Sequence, residues 1–307
     1  ADTPRTAAEA AARIGADERR LESLLHALAA LDLLEVRPAA GGGSPRFLCR
    51  PPAARRLAAA GEDYAGHGRE LAARLWGAGL TVADSIRRGA ATAPGAAGGG
   101  SPEETAAFLR ALHPGALRTG REIARRGWLD GCRRIVDAGG GSGGLAAALR
   151  RDLPGSEVCV VEREAAAPWT RRLLEEEGAA GVRVVAGDLS AGGPGLEDGL
   201  DLPCDGVVCL SFLQVLGPEE AARVIARIAG WLRPGGRLVI AGMGVLGDDR
   251  LSPRDSAVHN ILLGALYEDG RGYTLSEHGR WLEAAGFTDI EWDELSDGRG
   301  AILAVRR

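Results

Sequence analysis

Three acids stand at the ends of three successive apolar segments, and the first leads into a run of glycines. Asp137-Ala138-Gly139-Gly140-Gly141-Ser142-Gly143-Gly144 directly follows an apolar strand and opens a helix. Glycines there let backbone approach a ligand closely and set a helix N-terminus against it. Gly139, Gly141 and Gly144 also satisfy the GxGxxG spacing of a dinucleotide loop. Asp137 changes that weighting, because a carboxylate at the strand end repels a pyrophosphate but accepts from an ammonium or amino group. Glu162 closes the second strand, about 20 residues past the loop, where an acid takes ribose hydroxyls. Gly187-Asp188 closes the third, where a carboxylate can accept from an adenine amino group. Three acids so placed suit a cationic adenosyl ligand better than an anionic dinucleotide. The plain alternative is a set of solvated strand-end acids.

The elements that must position these residues begin at residue 131. Short apolar strands (Arg134–Ala138, Glu157–Glu162, Val182–Ala186, Gly206–Leu210, Arg237–Gly242) alternate there with helices starting near Gly144, Ala167 and Pro218. That alternation signals a parallel α/β sheet. The chain closes with a helix over Leu275–Ala285, a strand over Phe287–Glu294, a turn at Asp297-Gly298 and a strand over Ala301–Val305. This last pair is not a βαβ unit. Upstream, Thr6–Ile14 reads as a helix stopped by Gly15, and Asp17 caps a second one running through Leu31. Its leucines Leu21, Leu24, Leu25, Leu28 and Leu31 share one stripe, expected to cover the core of its own domain. Leu33–Arg37 and Arg46–Cys49 read as short strands around Gly41-Gly42-Gly43, completing a winged-helix outline. Trp76, Leu80 and Ile86 belong to a further apolar helical region. A second glycine-rich break runs from Ala93 to Pro102. Phe108–Ala124 reads as a connecting helical segment interrupted at Pro114.

Composition narrows the possible chemistry. The 307 residues carry 37 basic and 42 acidic side chains, a net charge of −5, and every basic residue is arginine. Without lysine there is no Schiff-base chemistry and no lysine-dependent phosphate loop. The acidic balance argues against a general nucleic-acid binder. Residues 1–60 hold nine arginines against seven acids, too few for a DNA-reading winged helix. No apolar run reaches the roughly 20 residues needed to span a bilayer. The first residues lack the layout of a secretory signal, so the expected location is cytoplasmic. The five cysteines form no CxxC pair and read as reduced core thiols; neither Cys nor His stands at metal-ligand spacing, so no metal is expected.

The chain resembles the class I S-adenosylmethionine-dependent methyltransferases, and more narrowly the small-molecule O-methyltransferases of plant phenolics and bacterial antibiotics. The resemblance covers nearly the whole chain. It rests on IVDAGGGSG (Ile135–Gly143), Gly187-Asp188, WLRPGGRLVI (Trp231–Ile240) and WLEAAGF (Trp281–Phe287). It implies a Rossmann-like methyltransferase domain with a mostly parallel seven-stranded sheet and an antiparallel last strand over residues 131–307. A helical connector (101–130) and an all-α, winged-helix-like dimerisation domain (1–100) would precede it, giving a homodimer. Carried over residue by residue, Asp137, Gly139 and Gly141 would line the methionine end of S-adenosylmethionine. Glu162 would hold its ribose, Gly187, Asp188 and Leu189 its adenine, and Ser211 would approach it from the fourth strand.

The chain departs from the family where the proton must go. The family's catalytic base is a histidine in an LHDW-like segment, and Gln214 stands in its place within Leu213-Gln214-Val215-Leu216. The two glutamates that orient that histidine in plant members are replaced by Gly242 and Gly272. Among replacement bases, His259 is the best candidate, on a helix opened by Ser252-Pro253 and in one stripe with Leu262, Leu263 and Leu266. Gln214 is expected to orient the acceptor by hydrogen bonds, with Tyr267 and Tyr273 as hydroxyl donors beside it. His113 is a weaker candidate, and His278 is expected to be exposed in the first turn of the last helix. The leading expectation is methylation of oxygen, carbon or nitrogen on a hydrophobic small molecule of secondary metabolism. The second is a methyltransferase fold that has turned to pericyclic, decarboxylation or hydroxylation chemistry with the cofactor kept.

Overall fold

In a computed structural model, residues 3–58, 66–93, 101–191 and 195–307 are described. The chain divides into two compact units, Ala1–Arg69 and Glu70–Arg307. The glycine-rich run at 94–100 lies outside the described residues.

The N-terminal unit comprises α1 (Ala7–Ile14), α2 (Glu18–Ala30), β1 (Leu34–Arg37), β2 (Arg46–Cys49) and α3 (Pro51–Leu57). Local chemistry sets its boundaries. Thr6 and Glu9 close a capping box at the start of α1, and Gly15 ends the helix in the left-handed region. The Asp17 carboxylate accepts the Arg20 N–H at 2.9 Å to open α2. Two expectations are corrected here. The unit is not all-α, because β1 and β2 pair antiparallel as a hairpin with Leu34 opposite Cys49. The leucine stripe does not lie wholly inward either. Leu25 and Leu28 pack on Ala7, Leu34 and Phe47, while Leu24 and Leu31 are exposed, because so small a core cannot cover a five-leucine face.

The second unit runs through α4 (Arg69–Leu80), α5 (Val82–Arg88), α6 (Pro102–Arg125), β3 (Arg134–Ala138), α7 (Gly144–Asp152) and β4 (Glu157–Glu162). It continues through α8 (Ala167–Glu176), β5 (Arg183–Ala186), β6 (Cys204–Leu210), α9 (Pro218–Trp231), β7 (Leu232–Gly242) and β8 (Val245–Leu246). It ends with α10 (Arg254–Leu266), β9 (Tyr273–Thr274), α11 (Leu275–Ala284), β10 (Phe287–Glu294) and β11 (Gly300–Arg306). One seven-stranded sheet has the order β10-β11-β7-β6-β3-β4-β5. Only β11 runs antiparallel to its neighbours, so the expected Rossmann-like sheet with an antiparallel last strand is present. The strands read as continuous apolar runs because both faces are covered. Val136, Cys159, Val207 and Leu238 point to the α9–α11 side, while Ile135, Val158, Val160, Val208 and Val239 meet α6 and α7. Alternation of side chains along each strand sends neighbours to opposite layers.

Pro114 does not interrupt α6, which is one continuous helix from Pro102 to Arg125. Packing against α7 outweighs the one helical hydrogen bond that proline forgoes. The two helices meet at Gly120, where a Cβ would lie 2.7 Å from the Leu145 carbonyl oxygen. All five cysteines are free, and Cys132, Cys159, Cys204 and Cys209 are buried. No described helix is long and apolar enough to cross a membrane.

Candidate cofactor and acceptor site

The glycine loop joins β3 to α7 at the carboxyl edge of the sheet, the crevice in which open α/β sheets bind ligands. Gly139 and Gly140 donate to the Val161 carbonyl at 3.0 and 3.2 Å, tying the loop to β4. Gly139 has φ +71°, and a Cβ there would meet the Phe212 ring at 2.7 Å. The loop is held from two further sides. Thr170 Oγ1 donates to the Gly141 carbonyl at 2.6 Å, and the His113 Nδ1 lies 3.2 Å from the Ser142 carbonyl. A carbonyl can only accept, so that nitrogen carries the proton. His113 Nε2 stands 3.3 Å from a Glu177 carboxylate oxygen, so this residue braces the loop from α6.

The three strand-end acids differ in environment. Asp137 is 0% exposed and neither carboxylate oxygen has a hydrogen-bond partner. Burial, and then the charge of Glu162, push its carboxyl up to about 7. A buried, unpartnered carboxylate beneath a glycine cradle lacks a cation, and an ammonium group is the chemistry that matches it. Glu162 accepts the Gly141 N–H at 2.7 Å and the Arg163 N–H at 2.9 Å, leaving lone pairs on both oxygens for ribose hydroxyls. Asp188 turns one oxygen into its own loop, accepting from Ser190 N, Ser190 Oγ and Ala191 N at 2.8, 2.8 and 3.1 Å. Its partial burial raises the carboxyl, but these donors outweigh that and hold it below its usual value. The other oxygen can accept from a further donor such as an amino group. Gly187 N donates to the Glu162 carbonyl at 2.9 Å, which joins the second and third acid positions, and Leu189 is buried beside them. The residue set fits an adenosyl cation.

Across the loop stands the segment after β6. Ser211 adopts φ +55° and donates its N–H to the Ala241 carbonyl at 2.7 Å. Gln214 is buried, and its Oε1 accepts the Gly244 N–H at 2.7 Å. A Cβ on Gly242 would lie 2.8 Å from Ser211 Oγ and 3.0 Å from Gln214 Oε1. The glycine at that position is therefore what lets Ser211 and Gln214 sit where they do. Gly272 donates to the Asn260 Oδ1 on α10, and a Cβ there would press on Leu246. His278 corrects a further expectation: it is 1% exposed, not open to solvent. Its Nδ1 donates to the Thr274 carbonyl at 3.0 Å, edge-on to Tyr273 and Trp281, and burial pushes it down to about 4. Together with Ser211 and Gln214 it lines a small cavity behind β7. Tyr273 spends its hydroxyl on the Leu216 carbonyl at 2.5 Å.

Helix α10 packs beside β8, just past the carboxyl end of β7. At its start Ser256 Oγ donates to the Gly298 carbonyl in the β10–β11 turn at 3.1 Å. At its end burial raises the Tyr267 phenol, an effect tempered by the Arg163 charge beyond β4. His259 is half-buried, and burial followed by the charge of Arg299 lowers its imidazole below the ordinary value. His259 and Tyr267 are eight residues apart, about 12 Å along a helix axis, at the middle and the end of α10. Thr170, Phe212 and Arg299 are surroundings that sequence reasoning did not assign to the site, and His113, read there as a weaker candidate base, braces the loop. Of these only His113, just before Pro114 in the connecting segment, carried any signal. No group of acidic, histidine or cysteine side chains able to hold a metal occurs among the described residues.

The O-methyltransferase domain family matches residues 91–288. The chain is 30% identical to the 3-hydroxy-5-methyl-1-naphthoate 3-O-methyltransferase of Streptomyces sahachiroi, over 99% of this chain and 85% of that protein. It is 29% identical to the tetracenomycin polyketide synthesis 8-O-methyltransferase of Streptomyces glaucescens, over 96% and 85%. The crystal structure of human N-acetylserotonin methyltransferase in complex with SAM superposes with a TM-score of 0.82 at 22% identity, covering 100% of this chain and 88% of that one, which shows a shared fold.

Proposed function

Because the chain belongs to the O-methyltransferase domain family, and is thus an S-adenosylmethionine-dependent methyltransferase, we propose that it methylates an oxygen on a hydrophobic aromatic small molecule in natural-product biosynthesis. Two Streptomyces relatives named for a naphthoate and a tetracenomycin support the acceptor class. The observation that carries the reading is the partnerless Asp137 carboxylate under the glycine loop, with Glu162 and Asp188 on the next two strand ends.

When bound, S-adenosylmethionine supplies an electrophilic methyl group on a sulfonium. Asp137, Gly139 and Gly141 take its methionine end, Glu162 the ribose, and Gly187, Asp188 and Leu189 the adenine, with Ser211 closing the β6 side. Phe212, set against Gly139, excludes water from the loop. His259 takes the acceptor proton; its lowered pKa leaves the imidazole neutral at pH 7 and able to do so. Gln214 has its oxygen committed to Gly244, so its amide N–H groups are what remains to orient the acceptor. Tyr267 serves the ribose side, close enough to feel Arg163. The proximity of two held reactants supplies much of the rate.

We further infer a homodimer. Trp76, Leu80 and Ile86 on α4 and α5 are 75%, 74% and 75% exposed, an apolar surface that asks for cover. The functional division is association by a winged-helix-like part within residues 1–100, a connector over 101–130 and catalysis over 131–307. The cytoplasm is the proposed location.

The test is incubation with methyl-labelled S-adenosylmethionine and a panel of hydroxylated naphthalenes and quinones, followed by mass spectrometry. Label in the product supports methyl transfer. An acceptor converted without label would favour the second chemistry, and failure to bind S-adenosylhomocysteine would refute the cofactor site.

A further inference from the structure

We propose that Arg299 is the residue that recognises the acceptor and that the acceptor is an aromatic acid whose carboxylate docks on its guanidinium. The inference rests on the methyltransferase reading above. Arg299 lies in the β10–β11 turn, one residue before Gly300, which pairs with Gly242 at the end of β7. It therefore stands at the same carboxyl edge as the glycine loop. The intervening strands are β6 and β7, so β11 is three spacings from β3, about 14 Å.

The guanidinium projects toward α6, which reaches the glycine loop, and its charge is felt by His259 on α10. On α6, Nη1 donates to Thr119 Oγ1 at 2.6 Å, and a Cβ on Gly115 would lie 3.2 Å from Nη2. Six residues earlier on the same helix, about 9 Å along its axis, Leu109 is the neighbour of Gly141. On α10 the Arg299 charge acts on His259, the residue assigned the acceptor proton. An acceptor anchored at Arg299 thus extends along α6 toward the cofactor loop with His259 on its flank.

Arg299 is under-partnered for a partly buried residue, its side chain being 21% exposed. It pairs with Asp297 at 3.4 Å, while the charge of Arg118 opposes its own. Among the described residues only Nη1 has a hydrogen-bond acceptor, so Nε and Nη2 keep their N–H groups open. Asp255 also faces the turn, but toward Gly298 rather than the guanidinium. A half-buried cation with a planar, half-used fork is matched by a carboxylate, which takes two parallel hydrogen bonds. Arg237 and Arg306, elsewhere on the same sheet, direct guanidinium nitrogens to main-chain carbonyls. The glycine at 115 instead leaves the space beside Nη2 free of a side chain.

The experiment uses the full chain saturated with S-adenosylhomocysteine and compares 1-naphthoate with 1-naphthamide by calorimetry. The amide matches the acid in shape and lacks its charge. We expect naphthoate to bind at least about tenfold more tightly, the size of one charge-assisted hydrogen bond. Arg299→Met should erase the preference, and Arg299→Lys, which keeps the charge and loses the fork, should retain part of it. Equal affinities in the native chain, no naphthoate binding at millimolar concentration, or a preference that survives Arg299→Met would each overturn the proposal. If Arg299→Met does not fold, the native pair of ligands and Arg299→Lys still decide. S-adenosylhomocysteine binding without a naphthoate preference removes only this inference; loss of that binding as well removes the methyltransferase reading beneath it.

Discussion

Gln214 and Gly244 are fitted to each other: the glutamine Oε1 accepts the glycine N–H at 2.7 Å, and a Cβ on the glycine would lie 2.2 Å from the glutamine Cβ. The Gln214 side chain is thus clamped by backbone on one side, with Gly242 bearing on it from the other. Gly244→Ala should destabilise the protein by roughly 1–3 kcal/mol, the usual cost of forcing a methyl into a filled space. Gln214→Ala should cost about as much by leaving the Gly244 N–H buried without an acceptor. Thermal melting reads both, and a melting point unchanged in either variant would remove the clamp. Gln214→His should change the rate at saturating substrate by less than about tenfold, because Gly242 and Gly272 offer no carboxylate to orient the ring. A large gain would show that family-type base catalysis survives.

His259 should carry the acid limb of the pH profile. Its pKa is lowered, so the rate at saturating substrate should rise with pH through a midpoint below 6.5 and be flat above 7. His259→Ala should reduce that rate by about 10²–10⁴ and abolish the limb. An unaffected variant would mean that the acceptor ionises without help.

Asp137 makes the ligand-free protein sensitive to pH. Its folded carboxyl titrates near 7 against 3.8 for the ordinary group, so between these values the folded state holds a proton that the unfolded state has released. Stability contributed this way is present below about pH 4 and lost as pH rises through about 7. Asp137→Asn should flatten that part of the melting-temperature profile and raise the melting point at pH 8 by several degrees. The same variant should weaken S-adenosylhomocysteine, whose ammonium loses its counter-charge. If ligand affinity holds while the pH slope disappears, Asp137 is structural.

Asp188→Ala should weaken S-adenosylhomocysteine about tenfold, through one lost hydrogen bond to adenine and through the loosened Ser190–Ala191 loop. Calorimetry separates the causes: Ser190→Ala removes one loop contact alone and should have the smaller effect.

Trp76→Glu and Ile86→Glu should give monomers with unchanged melting of the second unit, as each side chain is three-quarters exposed and its removal empties no core. Light scattering at micromolar concentration checks this, and a native chain that is already monomeric would defeat the homodimer.

What could be read from the sequence was what local chemistry decides. The cap at Asp17, the stop at Gly15, and apolar runs ended by Asp137, Glu162 and Asp188 depend on neighbours a few residues away. Strand alternation then placed all three acids on one edge, since parallel strands joined by helices must share their carboxyl ends. Tertiary structure decided the rest. The burial of His278 depends on the segment after β6, whose Ser211 and Gln214 share its cavity, and the continuity of α6 through Pro114 depends on α7. The meaning of Gly242 and Gly244 is set by Gln214, some 30 residues earlier. Thr119, His259 and Arg299 come together from two helices and a hairpin turn, 180 residues apart at the extremes. Periodicity carries no information about such pairings, because side-chain contacts between distant elements are fixed by how the layers pack and not by the pattern within any one of them.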